Sequence, residues 1–168
     1  MLTDETRKEL FGARVYAIAD KYGITQTTVR EIVNTFVDEA RQVLLDGCVL
    51  RLGELAVIKP TVVNSLYVPT MGYLSKKVSD KNGLPYFTVY SIVDAYLDTV
   101  KSEILCGRSA DIRKLISFHV IFTGDGKFKV NCALSASLRK DLRNCSVPNG
   151  ARVSFSKSMR NLLKEGVA

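Results

Sequence analysis

Residues 20–47 read DKYGITQTTVREIVNTFVDEARQVLLDG, and residues 80–107 read DKNGLPYFTVYSIVDAYLDTVKSEILCG. The two stretches share ten identities in 28 positions without a gap, at a constant offset of 60 residues. Unrelated stretches of this length would share roughly two, so we infer that the chain carries a duplicated unit. Apolar character is kept where the residue changes, as at Phe36 and Tyr96. The duplication predicts a covalent pseudo-dimer and does not imply a single catalytic cleft.

The spacing of apolar residues predicts a pair of helices in each copy. In the first copy they cover residues 4–22 and 26–46, with Gly23 between them and Thr25 as a cap. In the second copy they cover residues 70–81 and 85–106; the 60-residue match favours this assignment of the helix at residues 70–81, which can also be read as closing the first copy. The longer helix of each pair carries matching apolar stripes, which are typical of a buried core. These are Val29, Ile32, Val33, Phe36, Val37, Ala40 and Leu44 in one copy, and Val89, Ile92, Val93, Tyr96, Leu97, Val100 and Ile104 in the other.

Short strands are predicted after each helical pair. Residues 49–52 and 55–58 form a tight hairpin turned at Gly53, and residues 65–69 are a candidate third strand. In the second copy the candidates are residues 112–115, 117–123, 127–132 and 151–155, with a strong turn signal at residues 124–126. Residues 135–143 are either a short helix or an irregular basic connection, and residues 157–165 form a final helix. The predicted fold class is α+β, a helix–helix–β-hairpin unit repeated, with units at residues 1–69 and 70–168.

Composition restricts the classes of function. No apolar run approaches the roughly 20 residues of a membrane span, so no membrane partner is expected. The acidic N-terminus shows no secretory signal. The four cysteines are widely spaced, without a Cys-x-x-Cys pair, and His119 is the only histidine. This pattern favours reduced cysteines over a zinc site, and no metal or cofactor is expected.

Catalysis has little support in the sequence. There is no Ser/His/Asp set, Walker loop or dinucleotide fingerprint. His119 falls in a predicted strand, where a lone histidine is usually a packed or surface residue. The prediction is a protein that is not an enzyme.

Positive charge is concentrated in the second half of the chain. The net charge is +7; residues 1–84 hold 11 Lys and Arg against 10 Asp and Glu, whereas residues 85–168 hold 13 against 7. Such a surface favours a polyanion or an acidic protein partner, although a solvated basic face is an equally good interpretation. The candidate binding residues, for nucleic acid or for a protein partner, are Lys127, Lys129, Arg139, Lys140, Arg143, Arg152, Lys157 and Arg160. Tyr67, Tyr73, Tyr86 and Tyr90 are further candidates for a protein interface.

Three segments resemble the bacterial histone-like HU and integration host factor family. They are residues 17–25 (AIADKYGIT), residues 45–55 (LDGCVLRLGEL) and residues 152–165 (RVSFSKSMRNLLKE). They are similar to the family's helix–Gly–helix start, its glycine-turned hairpin, and its last strand with the C-terminal helix. The turn at residues 51–55 is most similar to short-armed relatives from Bacteroides-type bacteria and their phages. The resemblance implies tandem units that interlock through their helices as a pseudo-dimer.

In that family each subunit extends a β-arm around DNA, and a proline at each arm tip kinks the duplex. This chain departs from the pattern, because the Arg-x-Asn-Pro motif of the arm tip is absent. Pro148 lies next to the last strand instead, and only residues 61–67 separate the first hairpin from the next helix. A two-armed clamp is therefore not expected from one chain.

Two functions follow from the resemblance. Duplicated forms without the wedge proline resemble ring components at the neck and tail of crAss-like phage virions. This implies a structural subunit, located in the virion or the host cytoplasm, whose partners are copies of itself and neighbouring virion proteins. The alternative is an architectural protein that binds and bends double-stranded DNA without reading its sequence.

Overall fold

The computed structural model describes residues 2–166 and contains six helices and two three-stranded sheets. The α+β class predicted from the sequence is confirmed. The elements in chain order are α1 (Asp4–Tyr22), α2 (Gln26–Leu45), β1 (Leu50–Leu52), β2 (Ala56–Pro60), α3 (Met71–Asn82), α4 (Tyr86–Leu105), β3 (Ala110–Ile112), β4 (Ile116–Gly124), β5 (Lys127–Leu134), α5 (Ala136–Arg143), β6 (Ala151–Phe155) and α6 (Lys157–Gly166).

Helix boundaries follow from local capping chemistry. The hydroxyl of Thr25 accepts a hydrogen bond from the backbone N–H of Thr28 at 3.1 Å, which satisfies a free donor at the start of α2. Helices α1 and α3 end at Gly23 and Gly83, whose φ angles are 64° and 63°. This left-handed conformation carries little steric cost for glycine, so both helices end at equivalent points of the repeat.

The core forms between the two long helices, α2 and α4, and the elements around them. All seven residues of each predicted stripe are buried, and they belong to one hydrophobic cluster. Burying each large aliphatic side chain contributes about 1.5–3 kcal/mol, so these stripes make a large contribution to stability. The two helices begin and end 60 residues apart, as do strands β1 and β3.

Each sheet is antiparallel, and their strand orders are β1-β2-β6 and β3-β4-β5. In the second sheet all three strands are close in sequence. In the first sheet the third strand is β6, which pairs with β2 so that Ala56 faces Phe155 and Pro60 faces Ala151. Strand β6 therefore completes the sheet that residues 50–60 begin. This pairing joins residues from both of the expected units, 1–69 and 70–168.

Two strand predictions were wrong. Residues 65–69 form no strand, and the side chain of Leu66 is 96% exposed, without a neighbouring strand to cover it. The predicted strand at residues 112–115 is instead the end of β3 and a turn, because Lys114 has a φ of 62°. The segment at residues 135–143, left open above, contains helix α5, which Ser135 caps by accepting a hydrogen bond from Leu138 N–H at 3.2 Å.

Within residues 2–166, no helix combines the length and the apolar character needed to cross a membrane.

Candidate binding surface

The candidate surface lies along the line where the two sheets meet, which we call the seam. Its walls are β5 and β6, the last strands of the two sheets. Phe118 of one sheet stacks on Phe155 of the other, with ring centroids 5.6 Å apart and planes 16° from parallel. This stacking fixes the distance between the sheets and leaves a cleft on the seam at each end of β5.

The first cleft has a volume of about 480 Å³ and contains three guanidinium groups. Arg139 and Arg143 lie one helical turn apart on α5, so they share a face of that helix. On the adjoining face Leu138 and Leu142 are buried and anchor the helix to the core, and Leu142 also lines the cleft. Arg152 extends from β6 into the same cleft. The arrangement presents planar, forked donors of the kind that bind phosphate or carboxylate oxygens.

The second cleft has a volume of about 470 Å³ and lies between β5 and α6. Lys127 and Lys129 are both exposed because alternate side chains of a strand point to the same side. Lys164 of α6 lies across from them, and Phe155 and Leu163 form the apolar part of the lining.

The structure brings together five of the eight predicted residues. Arg139, Arg143 and Arg152 line the first cleft, and Lys127 and Lys129 line the second. The other three lie on exposed positions of α5 and α6 and line neither cleft; they are Lys140, Lys157 and Arg160. Within residues 2–166, none of the eight forms an ion pair with a carboxylate.

Lys164 is the cleft residue that the sequence prediction left out. A signal for it existed, because Lys157, Arg160 and Lys164 are spaced three and four residues apart and so share one face of a helix. What the sequence did not show is that this helix lies beside β5, more than twenty residues earlier in the chain.

Strands β4 and β5 continue beyond β3 as a two-stranded arm. The arm turns at Asp125 and Gly126, which both have positive φ angles of 57° and 71°. Phe122 and Phe128 face each other across it at 6.1 Å, and Phe122 is 68% exposed. The arm has no proline at its tip.

In the described part of the chain, the first sheet has no corresponding arm. Where β2 and β6 end, the side chain of Asn149 accepts a hydrogen bond from Val62 N–H and donates one to Val62 O, both at 3.0 Å. Thr61 N–H donates to Gly150 O at 2.8 Å. We call this set of bonds the Asn149 clamp. It closes the strand pair at the point where an arm would have to begin.

Exposed aromatic side chains lie on a different part of the molecule, near the starts of α3 and α4. Phe87 is 81% exposed, Tyr67 and Tyr73 pack edge to face at 6.0 Å, and Tyr90 is also exposed. Three of the four tyrosines suggested by the sequence are thus exposed, whereas Tyr86 is half-buried.

The other candidate groups are scattered through the described residues. His119 is half-buried on β4, opposite Asn131. The four cysteines are free thiols. No three His, Cys, Asp or Glu side chains between residues 2 and 166 lie close enough together to hold a metal ion.

No protein-family model matches the chain. No curated protein matches its sequence either.

Proposed function

We propose that this chain is a non-enzymatic structural subunit with a tandem HU/integration-host-factor-like fold, and that it forms a ring at the neck or tail of a tailed phage virion. Its partners are copies of itself and neighbouring virion proteins. The resemblance of residues 17–25, 45–55 and 152–165 to that family motivates the fold assignment.

The order of elements supports the fold assignment. The same set of elements occurs twice: two helices, a three-stranded antiparallel sheet and a short helix. One set is α3, α4, β3-β4-β5 and α5. The second set is α1, α2, β1-β2-β6 and α6, in which the last two elements come from the end of the chain. Each unit thus has the helix–helix–hairpin–strand–helix order of the family.

The Asn149 clamp is the observation that favours assembly over DNA bending. It closes the first sheet where an arm would begin, so residues 2–166 carry a single arm, formed by β4 and β5. A duplex held between two arms requires two of them. The exposed aromatic residues near α3 and α4 give the chain a surface of the composition found in protein interfaces.

The seam supports a second candidate function, sequence-independent DNA binding. Its two clefts hold six Lys and Arg side chains that lack an ion pair among the described residues. Such a surface binds phosphates without reading bases.

A gel-shift titration on short duplex DNA at several salt concentrations separates the two functions. The structural proposal predicts weak binding that disappears near physiological salt. Sub-micromolar binding with a steep salt dependence would contradict it, because the logarithm of the binding constant falls by about 0.9 per phosphate neutralised for each tenfold rise in salt concentration. The variant Arg139→Glu/Arg143→Glu serves as the control, since it removes two guanidinium groups from the seam and leaves the buried face of α5 intact.

A further inference from the structure

Two surfaces of the molecule occupy equivalent positions in the two copies and carry opposite charge. Each consists of a short hairpin turn and the exposed side of a long helix. The acidic face comprises the β1–β2 turn and α4, with the residues Glu54, Tyr90, Asp94, Asp98 and Lys101. The basic face comprises the β3–β4 turn and α2, with the residues Arg30, Asn34, Asp38, Arg41, Arg113 and Lys114.

The acidic face is a groove of about 250 Å³ between the turn and the helix. Asp94 and Asp98 are exposed and lie one helical turn apart on α4. Glu54 on the turn is also exposed, and its carboxylate lies 3.7 Å from the Lys101 ammonium group. The groove therefore holds three carboxylates and one ammonium group, and it retains negative charge.

The basic face holds its cations in fixed positions. The guanidinium groups of Arg30 and Arg113 lie 5.3 and 5.1 Å from the centre of the Phe11 ring, a distance typical of cation–π contacts. Arg41 donates a hydrogen bond to Lys114 O and pairs with Asp141. Lys114 itself is exposed on the turn. Arg30, Arg113 and Lys114 have no carboxylate partner among the described ion pairs.

The charge difference arises at positions that match across the 60-residue offset. Glu54 corresponds to Lys114, Asp94 to Asn34, and Tyr90 to Arg30. The contact between the long helix and the neighbouring turn is retained in both copies. Lys101 lies beside Glu54 of the β1–β2 turn, and its counterpart Arg41 donates a hydrogen bond to Lys114 O of the β3–β4 turn. A surface that only needs solvation has no requirement for opposite charge on its two copies.

We propose that the acidic face of one molecule binds the basic face of another copy of this chain. The two faces share no residue, so a rigid chain cannot join its own faces and the contact must be between molecules. A contact between unlike faces is heterologous; it repeats from copy to copy and forms a ring when the rotation closes and a filament when it does not. This inference rests on the proposed assembly function, and it names the surfaces that carry the assembly.

Charge-reversal variants test the contact by sedimentation velocity at low and high salt. Asp94→Lys/Asp98→Lys makes the acidic face basic, and Arg113→Glu/Lys114→Glu makes the basic face acidic. Each variant alone then presents two faces of like charge, and we expect self-association to weaken at least tenfold. An equimolar mixture of the two restores opposite faces, so we expect assembly to return.

The matched control for the acidic-face variant is Asp20→Lys/Asp80→Lys, which makes the same change of net charge at exposed positions outside both faces. We expect it to associate as the native chain does. Assembly that persists in both charge-reversal variants, or that fails to return on mixing, would overturn the assignment of these faces while leaving the ring proposal standing. A native chain that stays monomeric at low salt would overturn both.

Discussion

Arg14 is the residue whose replacement tests the packing of the two copies most sharply. It lies on α1 and is only 2% exposed. Its guanidinium group donates to both oxygens of Glu103 on α4, at 2.5 and 3.3 Å, and to Asp111 O on β3 at 3.1 Å. Burial alone would lower the pKa of Arg14, but its hydrogen bond to Glu103 and the nearby negative charges raise the pKa above its ordinary value. The group is therefore charged at every accessible pH.

Replacing Arg14 with Leu leaves two carboxylates in a buried site without their cation. Breaking such a pair from one side costs about 3–5 kcal/mol. Because a domain of this size has a total stability of about 5–15 kcal/mol, the loss is a large fraction of it. At about 2–4 °C per kcal/mol, the melting temperature should fall by roughly 6–20 °C. The assay is urea and thermal unfolding followed by circular dichroism.

Two control variants separate the buried pair from side-chain loss in general. Lys76→Ala removes an exposed i,i+4 pair with Asp80 and should cost only about 0.3–0.5 kcal/mol. The triple variant Arg14→Leu/Glu103→Val/Asp111→Asn removes the charges together; Leu and Val are the residues that the chain has at the equivalent positions 74 and 43. It should regain most of the lost stability. A loss below about 1 kcal/mol for Arg14→Leu, or no recovery in the triple variant, would show that the buried ion pairs of Arg14 do not stabilise the packing of α1 against α4 and β3.

Three further predictions concern the clamp, a thiol and the arm. Asn149→Ala removes two hydrogen bonds to Val62 and should lower the free energy of unfolding by about 1–3 kcal/mol. The control is Asn131→Ala on the exposed side of β5. An equal loss of stability in both variants would show that the Asn149 clamp does not stabilise the sheet. Burial raises the pKa of Cys132 to about 11, so its reaction with a thiol reagent should be slow at neutral pH and should accelerate about tenfold per pH unit below that value. Cys106 is exposed and should react first. Modification mapped by mass spectrometry checks the order, and early labelling of Cys132 would count against its burial. Asp125→Ala places a residue without a polar side chain at a φ of 57° and should destabilise the arm by about 1 kcal/mol, whereas Asp125→Gly should not. Chemical unfolding of the two variants measures the difference in stability. Equal stability of the two would exclude backbone strain at the turn.

The helical part of the fold could be predicted because its signals are local. The stripe from Val29 to Leu44 repeats at helical spacing, and Thr25 and Gly23 mark the boundary between two helices within a few residues. The strand at residues 151–155 was also found, since it has alternating residues and follows a turn signal. In each case the residues that determine the element lie within one helical turn or one strand of each other.

The partner of that strand could not be predicted. Ala56 faces Phe155 across almost one hundred residues, and an alternating pattern shows that a strand has a buried side without showing which strand lies beside it. The same limit explains why Lys164 was not predicted to line a cleft, since its position there depends on where α6 packs. Lys114 was missed for a different reason, because a positive φ is unusual for lysine and the sequence carries no glycine at that turn.

Sedimentation velocity of the native chain across protein concentration tests the central claim most directly, that this chain is an assembly subunit. At low salt we expect species heavier than the 18.6 kDa monomer, increasing with concentration and reaching one discrete mass if the ring closes. A single 18.6 kDa species at every protein and salt concentration would show that the chain does not assemble with itself.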